Sequence, residues 1–134
     1  MMIDALFPLK AVTGDVTVRA SVSFQAETSA PAGHQWFWVY HVRIENNGDT
    51  PVQLIDRHWQ ITDARGGLSV VEGAGVIGEQ PVIAPGAAFD YVSGCPLTTP
   101  TGRMVGTYGM MGADGQRFTI SVPELPLLAP TVSR

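Results

Sequence analysis

Hydrophobic and polar residues alternate along most of this chain, and that alternation predicts its elements. Over residues 16–24, Val16, Val18, Ala20, Val22 and Phe24 alternate with Thr17, Arg19, Ser21 and Ser23. This is the period of a strand with one buried and one solvated face. Residues 25–33 are small or turn-forming and read as a loop. Residues 35–45 carry the strongest pattern, with Trp36, Trp38, Tyr40, Val42 and Ile44 on one face and Phe37, Val39, His41 and Arg43 on the other. Aromatic and β-branched side chains suit a pleated surface, and the following Asn46-Asn47-Gly48-Asp49 is a turn signal.

Further strands are predicted over 52–63, 68–71, 88–93, 103–111 and 116–122, with turns at 63–67, at Pro85-Gly86 and around Asp114-Gly115. Residues 73–81 read as a glycine-rich loop, and the proline- and leucine-rich tail after Pro123 reads as an extended segment. Strict alternation in the 52–63 strand puts Ile55, Arg57, Trp59 and Ile61 on one face and Leu54, Asp56, His58 and Gln60 on the other. If the Trp59 face is the core, Arg57 must reach out past its own stem or find a partner. About seven short strands with turns between them and no sustained helical period indicate an all-β, immunoglobulin/fibronectin-III-like sandwich of antiparallel strands. One domain over 1–134 is expected, with a core of about 14–130 and peripheral segments at 1–13 and 131–134.

Composition narrows the functions. Charged residues are only 15% of the chain and apolar residues 45%, which favours a filled core over disorder. The net charge is −4, and the eight basic residues are scattered. Nucleic acids and anionic membrane surfaces are therefore not expected partners, since both are held by clustered Lys and Arg. No stretch approaches the ~18 apolar residues of a spanning helix, and the N-terminal residues lack a basic leader, so a cytoplasmic protein is expected. Cys95 is the single cysteine, which leaves no intrachain disulfide, and beside Pro96 it reads as a small buried residue.

Gly73-Ala74-Gly75-Val76-Ile77-Gly78 matches G-x-G-x-x-G, but the dinucleotide fingerprint needs a strand before it and a helix after it. Pro81 and Pro85-Gly86 leave no room for that helix. The bland reading is glycines supplying positive φ at a strand junction. The functional one is a nest of backbone N–H groups for an anion, with Gly73, Gly75 and Gly78 as ligand-binding residues and Arg57 or Arg103 supplying charge. On that reading a Gly75→Asp variant folds and loses only binding. His34, His41, His58, Asp56, Asp63 and Cys95 show no metal-ligand spacing, and Ser93-Gly94-Cys95 is no nucleophile elbow. No metal, cofactor or catalytic residue is expected.

Several segments together resemble the bacterial ApaG family: residues 52–63 (VQLIDRHWQITD), 73–81 (GAGVIGEQP), Pro85-Gly86, 89–94 (FDYVSG), 98–104 (TTPTGRM) and 106–110 (GTYGM), all collinear. The resemblance spans about residues 14–130 and implies a fibronectin-III-like sandwich. It also implies a link to cobalt resistance and magnesium efflux, protein binding by eukaryotic relatives, and a suspected pyrophosphate site at Gly73, Gly75 and Gly78. Without a membrane span, an efflux role has to be indirect. The expected function is a non-enzymatic binding module with a protein partner. The alternative is a binder of pyrophosphate or a nucleotide polyphosphate through the Gly73 to Gly78 loop. Exposed sandwich edges also raise the expectation of a homodimer.

Overall fold

The computed structural model describes residues 2–130, so the peripheral reading of 131–134 falls outside the described residues. Two antiparallel sheets pack face to face. The first contains β1 (Leu9–Thr13), β2 (Val16–Phe24), β3 (Trp36–Asn46) and β7 (Ala88–Leu97), in the order β1-β2-β3-β7. The second contains β4 (Val52–Asp63), β5 (Leu68–Ala74), β6 (Val82–Ile83), β8 (Thr101–Gly112), β9 (Arg117–Ser121) and β10 (Leu125–Leu128). Its main order is β10-β8-β4-β5, with β6 beside β4 and β9 beside β8. The all-β sandwich expected from the alternation is therefore present, with ten strands among the described residues rather than seven.

The three additional strands are short or carry residues that weaken a strand pattern. β1 belongs to the segment read as peripheral, yet it pairs with β2 along its whole length from Leu9↔Ala20 to Thr13↔Val16. Ahead of it a short helix, α1 (Met2–Leu6), is fastened by an Asp4–Arg19 ion pair at 2.7 Å, and Phe7 packs edge-on against the His41 ring. β10 forms from the proline-rich tail because Leu125 and Leu127 point inward and are fully buried, while Pro126 and Leu128 face out. Each such leucine contributes roughly 1.5–3 kcal/mol.

β3 runs through the middle of the first sheet, and Trp38, Tyr40, Val42 and Ile44 enter the core as its alternation requires. β4 departs from strict alternation. Leu54 pairs with Met110 and Asp56 with Gly109, so Ile55 is an extra residue in a β-bulge. The insertion changes the parity of the strand. Val52 and Leu54 face the core before the bulge, and Arg57, Trp59 and Ile61 share the core-facing side after it. The expected grouping of Leu54 with Asp56 and His58 is thus corrected: Leu54 is fully buried, whereas Asp56 and His58 point outward into ion pairs. Met104 and Met110 fill the core from β8.

Candidate functional site

The bulge at Ile55 organises the glycine segment beside it. The Ile55 carbonyl accepts hydrogen bonds from the Gly75 N–H (2.8 Å) and from Gln80 Nε2 (2.8 Å). The N–H and carbonyl of Val76 exchange two bonds with those of Glu79, both 2.9 Å. Between them Ile77 and Gly78 have φ of +45° and +80°, the signature of a two-residue type I′ hairpin turn. The turn drives Val76 into the core at 1% exposure. An anion nest needs successive N–H groups converging on one point. Here the Gly75 amide is engaged by Ile55, Gly73 sits within β5, and Gly78 lies at the hairpin tip. Gly75 has φ +65°, and a Cβ there would press into the Glu79 carbonyl. The expectation that Gly75→Asp folds normally therefore gives way, since that side chain has no room without moving the hairpin.

Arg57 is the charged residue that the fold brings to this segment. Its Nη1 donates to the carbonyls of Ala74 (3.2 Å) and Gly75 (2.8 Å). A Cβ on Gly73 would lie 3.0–3.2 Å from Nη1, Nη2 and Cζ alike, so the guanidinium lies flat over Gly73. Arg103 is not brought here. It stands opposite Thr62, five strand positions from Arg57 and so about 17 Å away. It is exposed and pairs with Glu124 at 3.6 Å.

Three tyrosines lie near Arg57, Tyr40 and Tyr91 on the facing sheet and Tyr108 on its own. Tyr108 is its direct partner on β8, and the hydroxyls of Tyr91 and Tyr108 lie 2.5 Å apart. Burial pushes the phenols of Tyr40, Tyr91 and Tyr108 above their ordinary range, and the Arg57 charge opposes that shift in each case. On the outer face of β4, His58 Nδ1 lies 2.6 Å from Glu72, its direct partner on β5, and Asp56 accepts from Arg117 at 2.8 Å. Asp56, Arg57, His58 and Glu72 border, with Gly73, Ala74 and Gln80, a depression of about 490 Å³. Among the described residues no three His, Cys, Asp or Glu side chains are grouped to hold a metal ion.

Cys95 is 2% exposed, and burial pushes its thiol up to about 11. Since the thiolate is the reactive form, the native protein should resist iodoacetamide at pH 8 for hours and react within minutes in urea. Rapid native labelling, read by mass spectrometry, would contradict this burial. Trp38 is likewise buried, whereas Trp36 and Phe37 are half-buried and border a cleft of about 510 Å³ with Ile61, Asp63 and Leu97.

The feature that alternation did not single out is β5. Every residue from Leu68 to Glu72 is exposed, including Leu68 (59%), Val70 (52%) and Val71 (38%). The 68–71 run was legible as a strand, but its place at a sheet edge depends on pairing that a single sequence does not display.

Comparison with known proteins places a chain of this geometry. A family model described as the ApaG domain matches residues 26–112. The chain belongs to the ApaG family. It is 50% identical to the ApaG protein of Rhodospirillum centenum over 119 residues, covering 89% of this chain and 92% of that one. It is 49% identical to the ApaG protein of a Methylobacterium species over 125 residues, covering 93% and 96%. The crystal structure of the Bordetella pertussis ApaA protein superposes with a TM-score of 0.84 at 44% identity, covering 88% of this chain and 96% of that one. The C-terminal domain of Wzt superposes at a TM-score of 0.52 with 10% identity, covering 93% and 78%, and shares the fold alone. Among the described residues no helix is long and apolar enough to cross a membrane.

Proposed function

We propose that this ApaG-family protein is a non-enzymatic binding module that captures an extended segment of another protein on the β5 edge. The carrying observation is that β5 lacks the devices that keep sheet edges from pairing. Natural edges are blunted by Lys or Pro, by brevity or by cover. β1 has Lys10, β7 has Pro96, β10 has Pro126, and β6 is two residues long. β9 is covered by β1, where the Ser121 N–H bonds Thr13 Oγ1. β5 runs for seven residues with neither Lys nor Pro, and its one charge, Glu72, is paired with His58. Its unpaired backbone groups would continue the ladder, and Leu68, Val70 and Val71 would select apolar residues on the partner. The cobalt and magnesium phenotypes implied by the family resemblance then arise indirectly, through the partner's activity. A cytoplasmic setting suits that role.

A peptide library panned against the protein should enrich extended apolar sequences without internal proline. In the complexes, hydrogen exchange should slow at β5 amides. Val70→Lys should weaken binding at least tenfold while changing stability by less than about 0.5 kcal/mol, the usual range for exposed sites. Peptides that bind Val70→Lys equally well, or that protect the β7 edge instead, would overturn the reading. Sedimentation of the purified chain as a dimer that Val70→Lys dissociates would assign the edge to a second copy.

A further inference from the structure

The 510 Å³ cleft at the end of the sandwich lies beside the β5 edge, and its lining is chemically uneven. Trp36 and Leu97, directly paired on β3 and β7, stand on one side, and Ile61 of β4 faces them from the other sheet. All three are half-buried and pack against the core. The only charged side chain bordering the cleft is that of Asp63. It follows Ile61 by two positions on β4 and so shares its inward side.

Asp63 uses half of its carboxylate locally. Oδ1 accepts the backbone N–H groups of Arg65 (2.8 Å) and Gly67 (2.9 Å), which closes the turn between β4 and β5. Oδ2 takes no hydrogen bond among the described residues, and Arg65 contributes only its backbone to the pair. A Cβ on Gly67 would lie 2.7 Å from Oδ2, so the missing side chain leaves that oxygen uncovered. A half-buried carboxylate oxygen above apolar walls suits a cation carried on an apolar stem. Arginine answers that description best, because its planar guanidinium both lies on an indole face and donates to a carboxylate.

The β5 edge supplies the route. Ser69 pairs with Ile61, so its side chain points to the same inter-sheet side. That side is not covered by the first sheet, since Val71 pairs with the buried Trp59 and is still 38% exposed. A strand added to β5 would turn the residue opposite Ser69 inward, with only a serine between it and the cleft. Its backbone would stand two strand spacings from β4, roughly 10 Å. A short side chain therefore stops over Ser69, and a long one reaches Asp63.

We infer that the cleft receives an arginine side chain of the segment captured on β5, from the residue opposite Ser69, with its stem on Trp36, Ile61 and Leu97 and its guanidinium on Asp63 Oδ2. This rests on the β5 reading and adds one basic residue to the apolar ones selected by Leu68 and Val70. The net charge of −4 attracts a basic segment at long range.

The test uses short peptides that alternate valine and threonine around a central arginine, citrulline (its neutral isostere) or glutamate, in separate 1H–15N titrations. The arginine peptide should bind at least about fivefold tighter than the citrulline peptide, a modest charge-assisted gain, and the glutamate peptide more weakly than both. It should shift the Ser69 and Val71 amides together with the Trp36 indole N–H, while the indoles of the buried Trp38 and Trp59 stay still. Asp63→Asn keeps an Oδ1 acceptor for the turn and should reduce the arginine preference below about twofold; should that variant fail to fold, the citrulline comparison and the Trp36 signal decide. Equal binding of all three peptides at β5 with a silent Trp36 indole would overturn the inference and leave the β5 reading standing. If no peptide shifts β5, N-acetyl-arginine methylamide probes the cleft alone. A Trp36 shift with it, absent with the citrulline analogue, supports the guanidinium cleft and removes the edge reading, and no shift overturns both.

Discussion

Replacing Gly75 by alanine should destabilise the protein by about 3–5 kcal/mol, whereas the same change at Gly78 should cost only about 1 kcal/mol. Both residues have left-handed φ, +65° and +80°, which costs a residue with a Cβ roughly 1–2 kcal/mol. The difference lies in what the methyl group meets. Around Gly78 nothing stands within 4 Å, while at Gly75 the new Cβ lands on the Glu79 carbonyl, a backbone group that cannot swing aside. Relief requires opening the Val76–Glu79 pair, whose two hydrogen bonds are worth about 1 kcal/mol each. It also begins to withdraw Val76, 1% exposed, whose full burial is worth roughly 1.5–3 kcal/mol. Urea denaturation followed by circular dichroism measures both variants. A Gly75→Ala loss no larger than that of Gly78→Ala would mean that the hairpin yields easily and that Gly75 is not retained for space. The contrast also bears on binding experiments. Lost ligand affinity in a Gly75→Asp variant would report a displaced hairpin before it reported a lost amide.

Gly75 was legible in the sequence as a turn residue, but the carbonyl it must avoid was not, and the rest of the molecule divides in the same way. The long strands β2, β3, β4 and β8 were visible because one face of each meets the core and the period of two survives. The bulge was not, because Ile55 is an ordinary strand residue whose insertion alters only the parity of the residues after it. Leu54 and Trp59 therefore share a face that simple alternation denies them. β1 and β10 were missed because Lys10 and Pro126, residues that blunt a strand edge, also weaken the pattern that would announce a strand. The extension of β5 to Ala74 was missed for a related reason. Gly73 reads as a loop residue, but its missing side chain makes room for the Arg57 guanidinium.

The candidate site was half legible. A core-facing arginine beside Trp59 could be recognised as needing a partner, but the partners are the backbone carbonyls of Ala74 and Gly75, and carbonyls have no sequence signature. Arg103 stood as a rival on composition alone, and strand register places it opposite Thr62, about 17 Å along the sheet from Arg57. The tyrosine pair is assembled from β7 and β8 across the two sheets, a long-range approach that no local pattern contains. The glycine segment, read as a strand junction or alternatively as a ligand loop, has the geometry of a bracket. Its glycines turn the chain, clear space for Arg57 and place Val76 in the core.

Trp59→Ala should cost about 3–5 kcal/mol, the range for removing a large buried aromatic, and Trp59→Phe only about 1–2 kcal/mol. The indole is 2% exposed at the centre of the second sheet. It packs at 5.7 Å from the Tyr40 ring and at 6.2 Å, nearly perpendicular, from Tyr108; aromatic pairs of this kind add roughly 0.5–1.5 kcal/mol beyond their area. Its other face lies on Gly106, where even a Cβ would come within 2.8 Å of Cδ2 and Cζ3. A cavity left by alanine would be bordered by glycine backbone on one side and by two tyrosines on the other. None of these has a flexible side chain able to refill it, so collapse is limited and the cavity contribution stays high. Phenylalanine keeps one ring on Gly106 and removes Nε1, which is buried without a hydrogen-bond partner among the described residues. Losing that donor recovers part of a penalty of about 1–3 kcal/mol. Against a total stability of roughly 5–15 kcal/mol, Trp59→Ala leaves a marginal fold and Trp59→Phe a sound one. Equilibrium denaturation of the pair decides the matter. Equal losses would show that the ring's packing on Gly106 contributes little and that Trp59 is held by its edge contacts. Losses in the expected ratio would identify the Trp59–Gly106 contact as the point where the β4–β8 register is locked, and hence as what keeps Arg57 opposite Tyr108.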